Sequence, residues 1–237
     1  MWMGDYTFVN LIGLLIQSIF IQNILLFYFL GMCSYLACSN KMATANGLGL
    51  AVTFVITIAG TLNFFVNRFV TGDGALSWLS TFGLDVKNIN LNFLELIIFI
   101  SVIAAFVQIV EIIIDKFSPT LYNALGVYLP LITVNCAILG ACLFSTARQY
   151  PFIPNLVYLL GSGIGWWLAI CLIAAIREKL TYSHVVHHLK GMGITFMTTG
   201  LMALGFMALA GIDLDQPQTQ QEISFHALDV DSDQEKF

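Results

Sequence analysis

Six long apolar segments dominate the sequence and leave the chain few ways to fold. They cover roughly residues 8–38, 47–66, 93–114, 121–147, 155–176 and 191–212. A transmembrane helix needs about 20 apolar residues, and only 10% of this chain is charged, against about 25% of a soluble domain. Continuous apolar runs also favour helices over the alternating strands of a membrane barrel. The sequence therefore predicts an all-α integral membrane protein with six transmembrane helices.

The first and fourth segments are longer than a straight span requires, and polar or helix-breaking residues interrupt both. Gln17 and the pair Gln22-Asn23 lie in the first segment, while Pro130 and Asn135 lie in the fourth. Proline removes a helical hydrogen bond, and a buried amide must find a partner. We therefore expect both helices to be broken by unwound backbone.

The order of the segments indicates an internal repeat. Each half of the chain begins with a long, broken segment and continues with a glycine-bearing one. Because three spans is an odd number, the second half would enter the membrane from the opposite side. The sequence thus predicts two inverted three-helix repeats whose broken helices meet near the middle of the bilayer.

Basic residues near the segment ends predict the orientation. One side of the membrane receives five of them and the other side receives three, namely Lys41, Lys116, Arg177, Lys179 and Lys190 against Arg68, Lys87 and Arg148. The more basic side is expected to be cytoplasmic. Both termini would then lie outside, in the periplasm if the protein belongs to a bacterial inner membrane.

The composition changes after the sixth segment. Residues 213–237 contain many acidic side chains and only one lysine, Lys236, with little to bury. Such a segment is typical of disordered chain. We expect residues 1–212 to form a six-helix membrane domain and residues 213–237 to form an acidic, disordered tail.

Two of the five cysteines occupy matching places in the two halves. Cys33 and Cys136 each lie beside small residues in the long, broken segment of their half. A single cysteine in a membrane helix most often serves as a packing residue, and a disulfide is a poor choice near the middle of a membrane. Paired thiolates at unwound backbone instead favour a metal site. Because an iron–sulfur cluster normally needs four thiolates, a second chain would have to supply the other two.

A glycine cluster before Trp166-Trp167 superficially resembles a nucleotide-binding loop. Gly161, Gly163 and Gly165 lie inside an apolar segment, with no strand before them. Close packing between helices is the better interpretation.

Several longer motifs resemble a known family. They are Gly31-Met32-Cys33, residues 44–49 and 51–54, Leu121-Tyr122-Asn123-Ala124-Leu125-Gly126, residues 129–138, and Ile176-Arg177-Glu178-Lys179-Leu180. These motifs are similar to those of the family that contains the E subunits of sodium-translocating NADH:quinone oxidoreductases and the related A subunits of Rnf ferredoxin-oxidising complexes. The resemblance runs from residue 8 to about residue 212 and leaves out the acidic tail.

The resemblance implies a role in electron transfer. Members of this family pair with a homologous D subunit of opposite orientation, and each partner supplies two cysteines to an intramembrane iron centre. The matching positions here are Cys33 and Cys136, whereas Cys38, Cys142 and Cys171 lie outside the ligand positions and are expected to be packing residues. The centre could be a [2Fe-2S] cluster or a single iron.

The resemblance also implies the wider assembly. Electrons would pass from a cytoplasmic NADH-oxidising subunit toward a covalently bound flavin on the outer side, in a ubiquinone-reducing complex that also contains the A, B, C and F subunits. The isolated chain would catalyse nothing. Besides these proteins we expect contact with membrane lipid and no nucleic-acid partner.

Glu111 near the cytoplasmic end of the third segment allows two interpretations. A carboxylate near a helix end commonly reaches the interfacial water. The resemblance places Glu111 at an acidic position associated with sodium uptake. We therefore take Glu111 as a candidate for the ion path.

Two other functions remain open from the sequence. One is the role of the A subunit in an Rnf ferredoxin:NAD oxidoreductase. The other is a small transporter, because inverted repeats with broken helices also build transporters. A transporter should carry polar substrate contacts at the helix breaks, whereas these breaks carry thiols and amides.

Overall fold

All regular structure in the described part of the chain is helical. The computed structural model describes residues 8–68, 92–117, 132–180, 182 and 192–208. A π-helical segment, Gln17–Ile21, extends the first helix. The α-helices are α1 (Phe8–Ile16), α2 (Met32–Cys38), α3 (Met42–Val66), α4 (Asn92–Phe117), α5 (Cys136–Ala147), α6 (Phe152–Leu180) and α7 (Met192–Met207). The predicted all-α class is confirmed for these residues.

Every predicted apolar segment contains at least one of these helices. Among the described residues, α3 and α6 are long and apolar enough to cross a membrane, with mean hydropathies of 1.9 and 2.1. The other segments contain shorter apolar helices within the described ranges. The complete six-span topology and the inverted repeat stay predictions.

The first long segment is broken, as its amides predicted. The π-helical segment ends at Ile21, and α2 begins only at Met32. The Asn23 side chain, which is 1% exposed, bridges the gap. Its Nδ2 donates to the carbonyls of Ile19 at 3.0 Å and Gly165 at 2.8 Å, and its Oδ1 accepts from the backbone N–H groups of residues 25 and 26. One side chain thus satisfies backbone groups that the break would leave without partners.

The fourth long segment is also broken. Asn135 has extended backbone angles, φ −73° and ψ 113°, and α5 begins at the next residue. Its Oδ1 accepts a hydrogen bond from the N–H of Ala137 at 3.0 Å, which is the bond of a helix N-cap. The predicted break at Asn135 is confirmed, whereas Pro130 lies outside the described residues.

The glycines of α6 let neighbouring helices approach closely. A Cβ atom added at Gly163 would lie 2.9 Å from Cα of Thr53 on α3. Cβ atoms at Gly161 and Gly165 would overlap Ser18 and the Ile19 backbone in the first segment. The glycine cluster therefore serves helix packing, as the sequence predicted.

Helix α6 shows that α2 and α5 run in opposite directions. Near the end of α6, Nη1 of Arg177 donates to the carbonyl of Leu36 at 3.1 Å, close to the C-terminus of α2. Near the start of α6, Oδ1 of Asn155 accepts a hydrogen bond from Oγ of Ser145, close to the C-terminus of α5. The two half-helices therefore end at opposite ends of α6, which is the arrangement that an inverted repeat requires.

The basic residues near these helix ends are separated between the two ends of the bundle. Lys41 precedes α3, at the end where Arg177 bonds Ser39 at 2.6 Å. At the opposite end, Arg68 follows α3, Arg148 precedes α6, and Phe64 and Phe65 of α3 contact the ring of Phe152. This separation agrees with the grouping that predicted the orientation. Which end is cytoplasmic stays a prediction, and Lys87 and Lys190 lie outside the described residues.

We expect Gly163→Ala to destabilise the protein more than Gly60→Ala. A Cβ at Gly163 would lie 2.9 Å from Cα of Thr53, which is a backbone atom, whereas the atoms nearest to a Cβ at Gly60 all belong to the side chain of Leu159. Overpacking against an immobile neighbour costs about 1–3 kcal/mol. Recovery of the folded protein by size-exclusion chromatography after stepwise heating measures the difference. Equal losses in the two variants would contradict the proposed contact.

Candidate functional site

Cys136 is the first residue of α5 and is held by a neighbouring backbone group. Its Sγ accepts a hydrogen bond from the N–H of Gly31, with an N···S distance of 2.9 Å. The two residues are 105 positions apart in the sequence. This contact brings the break in the first segment against the break in the fourth.

Gly31 lies immediately before α2, and Cys33 is the second residue of that helix. Gly31 has a φ of 83°, in the left-handed region that glycine adopts without strain. Its carbonyl accepts hydrogen bonds from the N–H of Tyr35 at 3.1 Å and from Oγ of Ser34 at 3.2 Å. Gly31 is therefore fixed at its carbonyl by α2 and at its N–H by Cys136.

A second contact ties the starts of the two half-helices together. Nδ2 of Asn135 donates to Oγ of Ser34 at 3.2 Å. Both side chains are buried, with relative exposures of 2% and 0%. Asn135 thus caps α5 and holds the first turn of α2, so that Cys33 and Cys136 begin adjacent helices that diverge from one place.

The site opens toward the surface of the chain. Cys33 is exposed, Cys136 is partly exposed, and both are free thiols. Their neighbours in the sequence include Phe29, which is 51% exposed, and Val134, which is 75% exposed. An exposed thiol beside uncovered apolar side chains can reach a metal that a second protein chain also binds.

The other three cysteines are placed differently. Cys38 and Cys142 are buried in the hydrophobic core, and Cys171 packs against it. Sγ of Cys142 accepts a hydrogen bond from Nδ2 of Asn63 at 3.3 Å. These surroundings suit the packing role expected for them.

The described residues hold no complete metal site of their own. Within those ranges, no group of three or more His, Cys, Asp or Glu side chains could enclose a metal ion. The expectation that Cys33 and Cys136 are half of a four-thiolate centre shared with a second chain stays a prediction.

Glu111 is half-buried on α4. It continues the four-residue spacing of Phe99, Ile103 and Val107, whose side chains are buried in the core. Side chains at this spacing lie on the same face of a helix. Glu111 therefore follows the inward face of α4 toward the end of the helix, where Lys116 is exposed.

Sequence reasoning identified Asn135 at the fourth-segment break but did not identify Gly31 or Trp166 as groups at the contact between the two breaks. Gly31 stood out only as part of a motif, and no pattern marked Trp166, which is fully buried beside Gly31. The signal available in the sequence was a glycine two residues before a cysteine at an expected helix break. Nothing in the sequence showed that its N–H would reach a cysteine of the other half.

Comparison with known proteins places most of the chain within one family. A family model described as "Rnf-Nqr subunit, membrane protein" matches residues 11–213. The E subunit of the Na(+)-translocating NADH-quinone reductase of Chlamydia trachomatis serovar D is 58% identical over 234 residues, which cover 99% of this chain and 95% of that protein. The corresponding protein of Hahella chejuensis is 52% identical over 207 residues, which cover 87% of this chain and all of that protein.

The matches to these two relatives differ in how much of residues 213–237 they include. The match to the Chlamydia trachomatis protein covers 99% of the chain and so includes most of residues 213–237. The family model ends at residue 213, as the resemblance predicted, whereas the similarity to this relative continues into the tail. The Hahella chejuensis protein is matched along its full length by only 207 residues.

We expect Asn135→Ala to reduce the stability of the protein more than Ser34→Ala. The first change removes both the cap of α5 and the bond to Ser34, whereas the second leaves the cap in place. Loss of an N-cap alone costs about 1 kcal/mol. The stabilities of the two variants are compared by the fraction of tagged protein that stays folded and soluble in detergent after heating. A larger loss in Ser34→Ala would show that the cap is not the more important contact.

Proposed function

This chain belongs to the Rnf-Nqr family of membrane-protein subunits, and we propose that it is an electron-transfer subunit of a sodium-translocating NADH–quinone reductase. In this proposal Cys33 and Cys136 supply half of the ligands of an intramembrane iron centre. The proposal places the protein in a bacterial inner membrane with both termini in the periplasm.

The observation that carries the proposal is the contact between the two helix breaks. The N–H of Gly31 donates to Sγ of Cys136, and Cys33 follows Gly31 by two residues on α2. Two cysteines from distant parts of the sequence therefore begin neighbouring half-helices. Packing alone does not require an exposed thiol such as Cys33 at this place.

The donor set suits an iron centre shared with a second protein chain. Thiolates are the preferred ligands of iron–sulfur clusters, and two of them from this chain leave two positions to be filled. We propose that a homologous D subunit of opposite orientation fills them against the exposed surface at Phe29 and Val134. Four thiolates could hold either a [2Fe-2S] cluster or a single iron.

The part played by this chain is to hold and orient the centre. Iron supplies one-electron redox chemistry when it is bound. The backbone of Gly31 and the side chain of Asn135 keep the two cysteine-bearing helices in register. The isolated chain has no catalytic activity in this proposal. Electrons arrive from a cytoplasmic NADH-oxidising subunit and leave toward a flavin on the outer side, within a complex that also contains the A, B, C and F subunits and reduces ubiquinone.

Two alternative functions are less well supported. The two relatives are named as subunits of an NADH-quinone reductase, which favours that complex over an Rnf ferredoxin:NAD oxidoreductase. For a transporter, the amides at the breaks would be the natural substrate contacts. The side chains of Asn23 and Asn135 are instead hydrogen-bonded to backbone groups and to Ser34, which leaves them poorly placed to bind a substrate.

We expect Cys33→Ala and Cys136→Ala each to abolish the intramembrane iron signal. Each change removes one of the two ligands that this chain is proposed to supply, so the centre loses one of its bonds. Iron and acid-labile sulfide are measured in the purified complex, together with EPR of the reduced sample. Sulfide in the wild-type centre would identify a cluster, and iron without sulfide would identify a single ion.

The three remaining cysteines provide matched controls. Cys38→Ala, Cys142→Ala and Cys171→Ala change the same atoms at positions in or against the core. These variants should keep the iron signal. A full signal in Cys33→Ala or Cys136→Ala, with the complex assembled, would refute the proposed ligand role.

We expect Glu111→Gln to weaken sodium-stimulated turnover several-fold without affecting the iron centre. The change keeps the shape of the side chain and removes the negative charge that would attract a cation at the end of α4. Turnover is measured as a function of sodium concentration, and EPR checks the centre. Glu178→Gln, at an exposed position near the end of α6, is the control. An unchanged sodium dependence in Glu111→Gln would exclude Glu111 from the ion path.

A further inference from the structure

We propose that Gly31 is a positioning residue whose N–H stabilises the Cys136 thiolate and thereby raises the reduction potential of the iron centre. The inference rests on the proposed function, because it assigns a task to a group beside the proposed ligands. It concerns a backbone N–H group of this chain and adds no ligand to the proposed iron centre.

The hydrogen bond has the geometry of a strong interaction. The nitrogen of Gly31 lies 2.9 Å from Sγ of Cys136. A hydrogen bond to a charged acceptor is shorter and roughly twice as strong as one between neutral groups, and a low local dielectric strengthens it further. A thiolate at this position would therefore be held firmly by the Gly31 N–H.

The donor cannot turn away from the sulfur, because Gly31 is fixed on both sides. Its carbonyl accepts hydrogen bonds from Ser34 and Tyr35 in the first turn of α2. Its left-handed φ of 83° directs the chain from the break into that helix. The donor is therefore in place before any metal binds, which is the condition for an effect on the potential at no cost in reorganisation.

Trp166 explains why only glycine fits here. A Cβ at residue 31 would lie 2.6 Å from Nε1 of Trp166 and 3.0 Å from both Cβ of Ala137 and Oδ1 of Asn135. Trp166 is fully buried, so the added Cβ would meet its indole ring inside the protein. Its Nε1 has no hydrogen-bond partner among the described residues, although a buried indole N–H usually has one. Trp166 therefore packs against Gly31 and limits how far its backbone can move away from Cys136.

The direction of the effect follows from charge. Reduction adds one negative charge to an iron centre, and donors to the ligand sulfurs stabilise that charge. Hydrogen bonds to the sulfurs are among the factors that set the potentials of iron–sulfur clusters. Removal of the Gly31 donor should therefore lower the reduction potential.

The test compares Gly31→Ala with Gly60→Ala in the assembled complex. Both changes add one methyl group at a buried glycine. The three atoms nearest to the Cβ at Gly60 belong to the side chain of Leu159, on the contact between α3 and α6 and away from Cys33 and Cys136. The midpoint potential of the centre is measured by EPR-monitored redox titration. Alanine keeps the N–H, but its Cβ would lie 2.6 Å from Nε1 of Trp166, and the backbone shift that relieves this contact moves the N–H away from Sγ of Cys136. We therefore expect a downward shift in Gly31→Ala and no shift in Gly60→Ala. An unchanged potential in Gly31→Ala, with iron retained, would overturn the inference and leave the proposed function standing.

A second measurement on the wild-type complex avoids any effect of the substitution on assembly. The complex is labelled with ¹⁵N-glycine, and the nitrogen hyperfine coupling to the reduced centre is recorded by pulsed EPR. A coupling that appears only with the labelled glycine supports the hydrogen bond. Loss of this coupling in Gly31→Ala assigns the coupled nitrogen to residue 31. A labelled complex without such a coupling overturns the inference.

A third measurement separates failure of the inference from failure of the proposed function. Iron content and the EPR signal of the wild-type complex are measured before any variant. A wild-type complex that shows the intramembrane iron signal, together with an unchanged potential in Gly31→Ala, would refute the inference alone. A wild-type complex without any intramembrane iron signal would refute the proposed function and the effect on its potential.

Discussion

The breaks in the two long helices depend on asparagine side chains that replace missing backbone hydrogen bonds. A bilayer offers no water to unpaired N–H and C=O groups, so a helix can be interrupted there only where other groups satisfy the backbone. Asn23 does so from the centre of the first break, with bonds to its own segment and to α6. Asn135 does so at the start of α5. The position of every group at the candidate site follows from these two interruptions.

The breaks also explain why cysteines can meet at this place. Inside a continuous helix each N–H is bonded within the helix, whereas a helix that begins inside the protein leaves its first four N–H groups without such a partner. The same interruption frees the N–H of Gly31 to reach Cys136. It also gives α2 and α5 opposite directions from a common origin, as judged by their contacts with the two ends of α6. Two half-helices that start at the same place can bring two thiols close together, as the proposed shared thiolate site requires.

The core of the bundle supplies the rigidity that the broken segments lack. Close contacts between α3 and α6 occur where a glycine of one helix faces a larger side chain of the other, as at Gly49 against Trp167 and Gly60 against Leu159. Small residues allow membrane helices to approach one another in this way. The indole N–H of Trp167 also donates to Oδ1 of Asn46 on α3 at 2.9 Å. Helix α6 of this pair carries Trp166, which packs beside Gly31, and Gly165, which accepts a hydrogen bond from Asn23.

The sequence by itself determined the helical class, the two interrupted segments and the two cysteines at matching places, because hydropathy and helix-breaking residues are local properties. It also indicated that the glycines before Trp166 serve packing. Only the tertiary structure decided which groups meet: the N–H of Gly31 with Cys136, Asn23 with Gly165, and Arg177 with Leu36. These contacts join residues more than 100 positions apart, and their formation depends on how closely the helices approach. That distance is fixed by side-chain volumes across several helices at once, which no local pattern in the sequence records.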